Sequence, residues 1–387
     1  MDDALAQTLA GWRRHLHANP GLTLHEGPTA AFVVERLREL GVTDIETGIG
    51  GHGVVATLRR GGGAGGNRSV GLRADMDALP IQELNPLLPH RSSVPGVMHA
   101  CGHDGHTTAL LGAAALLLAD QGWSGTVRLV FQPAEEGGGG ARAMIADGLF
   151  RRFPMERLFG WHNWPGLPVG TVAVHDGAVM AAGARFEIAF EGHAGHAALP
   201  HLTRDPMLGA GHCIVALQGI IARGLDPLES GVISVTVAEA GEAVNQVPRR
   251  AVLKGTARWL RTPVADVLEE GMRRVAAGIA ATYGLEAAVE FRRGIPVTAN
   301  SPAERELAAA AAGAVTEVRR DVPPAMTGED FSWFLEEVPG AFVWIGNGPA
   351  DGGRELHSPH YDFEDAVLPV ACRYLAEVAK RALAGDP

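Results

Sequence analysis

Apolar positions in the first part of the chain recur with two different spacings. Leu5, Leu9, Trp12 and Leu16 follow one another at intervals of three and four residues, which is the spacing of one helix face. The run 127–132 is largely apolar and predicts a strand covered on both faces. Helices and strands predicted in this way alternate along the chain, which is typical of an α/β domain.

A different order of elements is predicted in the middle of the chain. Strands and helices are predicted there in the order β-α-β-β-α-β, at 186–190, 206–223, 232–238, 252–259, 262–283 and 287–291. This order is the ferredoxin-like arrangement. The earlier alternation then resumes. The sequence therefore predicts a discontinuous catalytic α/β domain at 1–181 and 294–387, with a ferredoxin-like domain inserted at 182–293.

Composition excludes several classes of function. A net charge of -11 argues against binding to nucleic acid, which needs a basic face. The three cysteines, Cys101, Cys213 and Cys372, are too few for a disulfide framework and fit a reducing compartment. The longest apolar run, 107–118, is shorter than the roughly 20 residues of a membrane span and predicts a buried helix. The start of the chain shows no signal-peptide pattern, so we expect a cytoplasmic protein without a membrane or nucleic-acid partner.

Side chains that bind metal ions cluster after predicted strands. The stretch 99–106 reads His-Ala-Cys-Gly-His-Asp-Gly-His, Glu135 and Glu136 follow a strand that ends at Gln132, and His162 follows a strand that ends at Trp161. Because the carboxyl ends of the strands line the crevice of an open α/β sheet, we expect these segments to converge. Imidazole, thiolate and carboxylate together suit zinc, manganese or a similar divalent ion. For the first and last histidines of 99–106, a purely structural role is an equal alternative.

The adjacent pair Glu135-Glu136 can divide two tasks. One carboxylate can bind metal while its neighbour faces an activated water, acts as general base and then delivers the proton to the leaving nitrogen. The alternative is a solvated acidic pair ahead of the glycines at 137–140. The apolar strand that leads into the pair favours the catalytic interpretation.

Seven short sequence segments occur in a characteristic order along the chain. They are Arg14-His15-Leu16-His17 with Pro20-Gly21-Leu22 and His25-Glu26; Arg73 to Pro80; Met98 to His106; Phe131 to Glu136; Gly195-His196-Ala197-Ala198 with Pro200-His201; Gly328 to Phe331; and Leu356-His357-Ser358-Pro359. Together they resemble the hippurate hydrolase and auxin-conjugate hydrolase branch of the metallo-aminoacylase and carboxypeptidase superfamily. The resemblance extends over nearly the whole chain.

The resemblance implies a site for two divalent metal ions. Its ligands match Cys101, His103, Glu136, His162 and His357, with Cys101 between the metals, and Glu135 matches the general base. Asp77 matches a carboxylate that orients a ligating imidazole. Asp75 stands where the wider superfamily has a metal-binding histidine, so we expect Asp75, like Glu329, to lie behind the ligands.

The resemblance also implies that the inserted ferredoxin-like domain is a dimerisation (lid) domain with a part in catalysis. His196 matches a histidine that reaches the scissile carbonyl from the partner subunit of a dimer, where it would stabilise the developing oxyanion. Asn245 and Arg258 match residues that hold the free carboxylate of the substrate, a task for which a guanidinium is well suited. The alternative for Arg258 is an ordinary surface arginine on a strand, and for His196 a structural role in its loop.

These observations predict a metal-dependent amidohydrolase that cleaves the amide bond of N-acyl amino acids. The implied cofactors are two ions of zinc, manganese, cobalt or nickel, and the implied assembly is a homodimer or a dimer-based homo-oligomer. The sequence does not fix the acyl group. A dipeptidase or aminopeptidase of the same superfamily, and a non-catalytic metal- or peptide-binding homologue, remain as alternatives.

Overall fold

The computed structural model describes residues 2–61 and 66–384. The first residue and the last three of the predicted catalytic domain lie outside these ranges. So do residues 62–65, which belong to a turn-rich stretch that the sequence predicts at 61–67.

The helices of the described chain are α1 (Asp3–Ala18), α2 (Gly27–Glu39), α3 (His103–Ala119), α4 (Gly140–Ala146), α5 (Leu149–Arg152), α6 (Pro206–Gly219), α7 (Thr262–Tyr283), α8 (Pro302–Gly313), α9 (Ser332–Leu335) and α10 (Leu368–Ala384). The strands are β1 (Ile45–Ile49), β2 (Gly53–Arg60), β3 (Ser69–Asp75), β4 (Gly125–Gln132), β5 (Arg157–Trp164), β6 (Val172–Ala173), β7 (Ala178–Met180), β8 (Ala182–Glu191), β9 (Gly195–His196), β10 (Gly231–Ala240), β11 (Gln246–Val247), β12 (Arg250–Trp259), β13 (Glu286–Arg293), β14 (Thr298–Ala299), β15 (Val318–Arg319) and β16 (Gly340–Gly346).

The chain folds into two compact units. The larger unit contains Met1–Val179, Ala299–Pro323 and Asp330–Pro387, and the smaller unit contains Met180–Thr298 and Pro324–Glu329. Each unit has its own cluster of buried apolar side chains. The roles that the sequence assigns to the two parts, catalysis and dimerisation, stay predictions.

The larger unit is built on a mixed sheet with the strand order β1-β2-β4-β3-β5-β16-β6-β15. Four neighbouring strands, β4, β3, β5 and β16, run parallel to one another. Their carboxyl ends therefore share one edge of the sheet, the edge at which polar side chains can meet. This mixed sheet flanked by helices confirms the predicted α/β fold class.

Helix α3 lies in the core of the larger unit. It is apolar on all sides and buried along most of its length, as expected for a helix covered on every face. It packs against α1, α10 and strand β3. The apolar run at 107–118 is thus a buried helix, as the sequence predicts, and its first turn carries His103 and His106.

The smaller unit has the order β8, α6, β10, β12, α7, β13 that the sequence predicts. Its four-stranded antiparallel sheet has the strand order β10-β12-β8-β13, and α6 and α7 pack on it and on each other. Among the described residues, one helical segment of this unit, Pro206–Gly224, is long and apolar enough to cross a membrane by length and composition alone. Core helices of globular proteins pass the same test, so this is weak evidence for a span.

Candidate metal centre

The five predicted ligands come together at the shared carboxyl edge of the parallel strands. Sγ of Cys101 lies 3.3 Å from Nε2 of His162. Oε1 of Glu136 lies 3.2 Å from Nε2 of His357 and 3.9 Å from Nε2 of His103. Ligand atoms of three overlapping trios lie within 4.8 Å of one another: Cys101, His103 and His162; Cys101, Glu136 and His357; and His103, Glu135 and Glu136. The structure therefore offers thiolate, imidazole and carboxylate donors to one small volume.

The loop that carries Cys101 requires a glycine. Gly102 precedes α3 with φ +90, and a Cβ at this position would lie 2.5 Å from the Tyr361 hydroxyl oxygen. A larger residue would also collide with Asn163, whose Nδ2 donates to the carbonyl oxygen of Cys101 at 2.6 Å. On the other side, the backbone N–H of His357 donates to the carbonyl oxygen of Ala100 at 2.8 Å. These contacts fix two candidate ligands next to each other.

Hydrogen bonds select the ring nitrogens that can bind a cation. Nδ1 of His103 faces Oδ1 of Asp77 at 3.3 Å, and Nδ1 of His162 donates to the carbonyl oxygen of Asn163 at 2.6 Å. In each ring the opposite nitrogen, Nε2, faces the cluster, as in metal-binding histidines. Nε2 of His103 and Oε1 of Glu136 are buried without a hydrogen-bond partner. Because buried polar atoms are normally satisfied, these two atoms fit a cation.

The electrostatics of the cluster also favour cations. Burial raises the pKa of the Cys101 thiol well above its ordinary value, and Glu136 and Glu135 raise it further. Burial lowers the pKa of His103, but Asp75 and Asp77 outweigh it and raise the pKa to about 10. Without a metal ion, the Cys101 thiol and the His103 ring thus hold their protons. A divalent ion would stabilise the thiolate and the neutral imidazole, so metal binding would release these protons.

Asp77 supports both the histidine and the acidic pair. Its Oδ1 accepts the backbone N–H of Glu135 at 3.1 Å, and its Oδ2 accepts that of Glu136 at 3.0 Å and the Thr23 hydroxyl at 2.7 Å. Burial raises the pKa of Asp77, but the hydrogen bond and charge of His103 outweigh it, so the pKa is lowered overall. One carboxylate therefore orients a candidate ligand and anchors the backbone of the candidate base.

Asp75 and His106 form a saturated pair behind the ligands. Nδ1 of His106 lies 2.6 Å from Oδ1 of Asp75, and its Nε2 accepts the backbone N–H of Asn163 at 3.0 Å. Oδ2 of Asp75 accepts from Arg73 at 2.7 Å. Asp75, His103 and His106 are close enough to share an ion, but both ring nitrogens of His106 and both oxygens of Asp75 are already engaged. We therefore assign His106 a structural role.

His99 is buried apart from these groups of ligand atoms. Both of its ring nitrogens lack a hydrogen-bond partner, and burial lowers the pKa of the ring to about 4, which keeps it neutral. Its ring centroid lies 6.5 Å from that of His17. In the described chain it belongs to none of the metal-binding groups.

Glu135 is held by a residue that the sequence did not single out. Its Oε1 accepts the backbone N–H of Asp330 at 3.2 Å. The Asp330 carboxylate in turn accepts from Gln132 at 2.7 Å and from the backbone N–H of Ala141 at 3.0 Å. Glu329, the predicted supporting residue, is buried in the smaller unit, where its carbonyl oxygen accepts from Thr298 at 3.2 Å. Asp330 lies in the same sequence segment, but only its long-range contacts reveal its role.

The smaller unit holds the remaining predicted residues. His196 is exposed on β9, which pairs with β11, and the backbone N–H of Ala197 donates to the carbonyl oxygen of Asn245 at 3.0 Å. Nδ1 of His196 accepts the backbone N–H of Ala198 at 3.0 Å, so Nε2 is the nitrogen that points away from its own loop.

Arg258 is half-buried on β12, opposite Gly183. A Cβ at Gly183 would lie 3.0 Å from a guanidinium nitrogen of Arg258, so glycine leaves room for this side chain. Burial lowers the pKa of Arg258, and the charge of Arg185 lowers it further. Within the described ranges Arg258 forms no ion pair, and its hydrogen bond goes to the carbonyl oxygen of Ala257. Such a cation is suited to an anionic partner.

Comparisons with known proteins identify the family. Residues 71–381 match the model of peptidase family M20/M25/M40. The chain is 40% identical to N-acetyl-L-cysteine deacetylase of Bacillus subtilis over 98% of this chain and 89% of that protein, and 39% identical to hippurate hydrolase of Campylobacter jejuni over 96% and 95%.

A solved structure supports the same relationship. The Bacillus subtilis YXEP protein, described as a dinuclear metal-binding peptidase of the M20 family, has a TM-score of 0.86 and 36% identity over 98% of both chains. The resemblance predicted from the sequence is confirmed, as is the prediction of a metal-dependent hydrolase. The chain belongs to peptidase family M20/M25/M40.

Proposed function

We propose that the protein hydrolyses N-acyl amino acids at a site for two divalent metal ions. The observation that carries the proposal is the convergence of Cys101, His103, Glu136, His162 and His357. Glu135 lies beside them on the turn that also carries Glu136, and it is held by Asp77 and Asp330. The family relatives act on small acylated amino acids by name, which agrees with this chemistry.

The protein's own residues would organise the proton transfers. Bound divalent cations supply Lewis acidity to a water molecule and to the amide carbonyl. Glu135 takes a proton from the attacking water as the water oxygen bonds to the carbonyl carbon. Glu135 then gives this proton to the amide nitrogen as the C–N bond breaks, which releases a carboxylic acid and a free amine. The Asp330 N–H holds Oε1 of Glu135 in place and so fixes the position of this carboxylate for the proton transfers.

We infer a substrate-binding role for three residues of the smaller unit. His196 would donate from Nε2 to the carbonyl oxygen as negative charge develops, across the interface of a homodimer. Asn245 and Arg258 would hold the free carboxylate of the amino-acid product. The lack of an ion pair at Arg258 within the described residues and the exposure of His196 support these assignments.

We propose the metal from the chemistry of the donors and the compartment from the state of the cysteines. A thiolate favours zinc, whereas the imidazole and carboxylate donors also accept manganese, cobalt or nickel. The described cysteines are all free and buried, which agrees with a reducing compartment, and we propose the cytoplasm.

A substrate panel tests the proposal. Metal-free protein is reloaded with zinc, manganese, cobalt or nickel and assayed on N-acetyl, N-benzoyl and indole-acetyl amino acids and on dipeptides. We expect at least one acyl class to be cleaved faster than dipeptides with a free amino group. Faster cleavage of dipeptides would instead identify a dipeptidase or aminopeptidase. Binding of metal without turnover of any substrate would identify a non-catalytic homologue.

A further inference from the structure

Two residues with unusual backbone conformations share one hydrogen-bond acceptor. Leu24 has φ +68 and Ala134 has φ +53, a region that residues other than glycine rarely adopt. The backbone N–H of Leu24 donates to Oε1 of Glu26 at 2.8 Å, and that of Ala134 donates to the same oxygen at 2.9 Å. Within the described residues, His357 is the one other non-glycine residue with a positive φ, and it is itself a candidate ligand.

The shared oxygen lies at the turn that presents the acidic pair. Strand β4 ends at Gln132, and Ala134 directly precedes Glu135 and Glu136. Ala134 adopts the left-handed conformation directly before the turn at 135–138, so whatever holds Ala134 also sets the direction of the next two side chains. We propose that Glu26 is a positioning residue that holds this turn and thereby places the general base Glu135 and the ligand Glu136. The inference rests on the proposed function.

Other tasks for Glu26 are not supported by its contacts. Its side chain is fully buried, yet it makes no capping hydrogen bond to α2, which begins at the next residue. Its second oxygen, Oε2, has no hydrogen-bond partner. A buried carboxylate is costly, and here both hydrogen bonds of the side chain go to the two left-handed residues.

The loop that contains Glu26 reaches the other support of the acidic pair as well. The Thr23 hydroxyl donates to Oδ2 of Asp77, the oxygen that also accepts the N–H of Glu136. A Cβ at Gly138 would lie 2.8 Å from the methyl carbon of Thr23, so this loop packs closely on the segment after the acidic pair. The side chains of Thr23 and Glu26 therefore support the acidic pair from two sides, Thr23 through Asp77 and Glu26 through Ala134.

Loss of Glu26 is expected to loosen the turn. The N–H of Ala134 would become a buried donor without an acceptor, and its left-handed conformation would lose the bond that favours it. A displacement of about 1 Å at a reacting group can lower the rate by about 10²-fold. Because Glu136 is displaced together with Glu135, metal affinity should fall as well.

The experiment compares Glu26→Ala and Glu26→Gln, with Glu83→Ala as the matched control. Glutamine keeps one side-chain oxygen, which can accept the two hydrogen bonds that Oε1 of Glu26 accepts from Leu24 and Ala134. Glu83 is a second buried carboxylate, which accepts from the N–H of Ser92 and does not contact the turn. The kcat, the KM and the zinc affinity, the last measured by competition with a chelating dye, are determined for each variant.

We expect Glu26→Ala to lower kcat by about 10- to 100-fold and weaken zinc binding about tenfold or more, with a smaller change in KM. Glu26→Gln and Glu83→Ala should stay within about threefold of the wild type. Adding Ala134→Gly to Glu26→Ala should recover part of the loss, because glycine adopts a positive φ without strain. A residue that only stabilises the fold would not be rescued in this way.

Wild-type kcat and zinc affinity in Glu26→Ala would overturn the inference, as would equal losses in Glu26→Ala and Glu83→Ala. If Glu26→Ala does not fold, the glutamine variant decides, since a tenfold or larger loss of kcat in folded Glu26→Gln also contradicts the inference. Failure of the proposed function is a separate result, because then the wild type itself hydrolyses no acylated amino acid while zinc affinity still reports on the turn.

Discussion

Both carboxylate oxygens of Asp77 accept a backbone N–H from the acidic pair, Oδ1 that of Glu135 and Oδ2 that of Glu136. An asparagine at this position would turn an N–H group toward one of these donors. We therefore expect Asp77→Asn to be nearly as harmful as Asp77→Ala, with a loss of about 10- to 100-fold in metal affinity. Zinc titration of the two variants tests this, and an asparagine variant with wild-type affinity would contradict it.

Removal of metal should abolish activity. The five converging ligands motivate this prediction. They are suited to hold the metal ions whose Lewis acidity the proposed hydrolysis requires. Exhaustive chelation is expected to stop hydrolysis, and a divalent ion to restore it. The idea fails if hydrolysis continues at the full rate in protein shown by elemental analysis to be metal-free.

The two neighbouring glutamates should respond differently to the same substitution. Glu135→Gln removes the proton carrier and is expected to lower kcat by about 10²–10⁴-fold while the metal content stays nearly intact. Glu136→Gln removes a ligand that faces His357 and should lose metal. Elemental analysis and kinetics of both variants check the assignment, and the reverse pattern would exchange the two roles.

His17 should make stability fall with rising pH. Burial lowers the pKa of this ring, but hydrogen bonds to Asp104 and Glu83 outweigh it and raise the pKa from 6.5 to about 9. A raised folded-state pKa means that the charged ring stabilises the fold fully below about pH 6.5, and that this contribution is lost as the pH rises through 9.

Chemical denaturation at about pH 6.5 and about pH 9.5 measures this contribution. The loss of unfolding free energy between the two values should be larger in the wild type than in His17→Gln, by on the order of 2 kcal/mol. His15, exposed on the same helix, provides the control variant His15→Gln, which should behave like the wild type. Equal pH dependence in His17→Gln and the wild type would show that His17 does not stay charged in the fold.

Mixing two inactive variants tests whether His196 acts across a dimer. His196→Ala should lower kcat by about 10²–10³-fold on oxyanion-hole precedent, with little change in metal content. If His196 serves the partner subunit's site, exchange of subunits with Glu135→Gln creates one complete site per mixed dimer and activity partly returns. No recovery, despite subunit exchange proven by labelling, would confine His196 to its own chain or to a structural role.

Much of the fold could be predicted because most elements carry a regular apolar pattern. The helix face predicted from Leu5 to Leu16 lies in Asp3–Ala18, and the buried helix predicted from the apolar run 107–118 lies in His103–Ala119. Strand β1 was missed because it is an edge strand with a mostly exposed surface and little apolar periodicity. Strand β5 continues to Trp164, so His162 lies within the strand and does not follow it, contrary to the prediction.

Candidate ligands could be found from sequence because their residue types are chemically distinctive and stand in segments that resemble a known family. Some of the residues that support them, unlike Asp77, could not be found in this way. Glu26, Asn163 and Asp330 act through hydrogen bonds to partners far along the chain, and nothing in their local sequence indicates those partners. For His106 the sequence left a ligand and a structural role open, and the structure decides because both of its ring nitrogens are taken.

The wide spacing of the ligands along the chain has a consequence for folding. Cys101 and His357 come from distant parts of the sequence and meet only in the folded larger unit. An unfolded chain therefore lacks the complete site, so a divalent ion binds the native state more tightly than the unfolded chain. By mass action, each hundredfold excess of ion over its dissociation constant adds about 2.7 kcal/mol to the free energy of unfolding. Ion supply in the cell would then regulate the lifetime of the protein as well as its turnover.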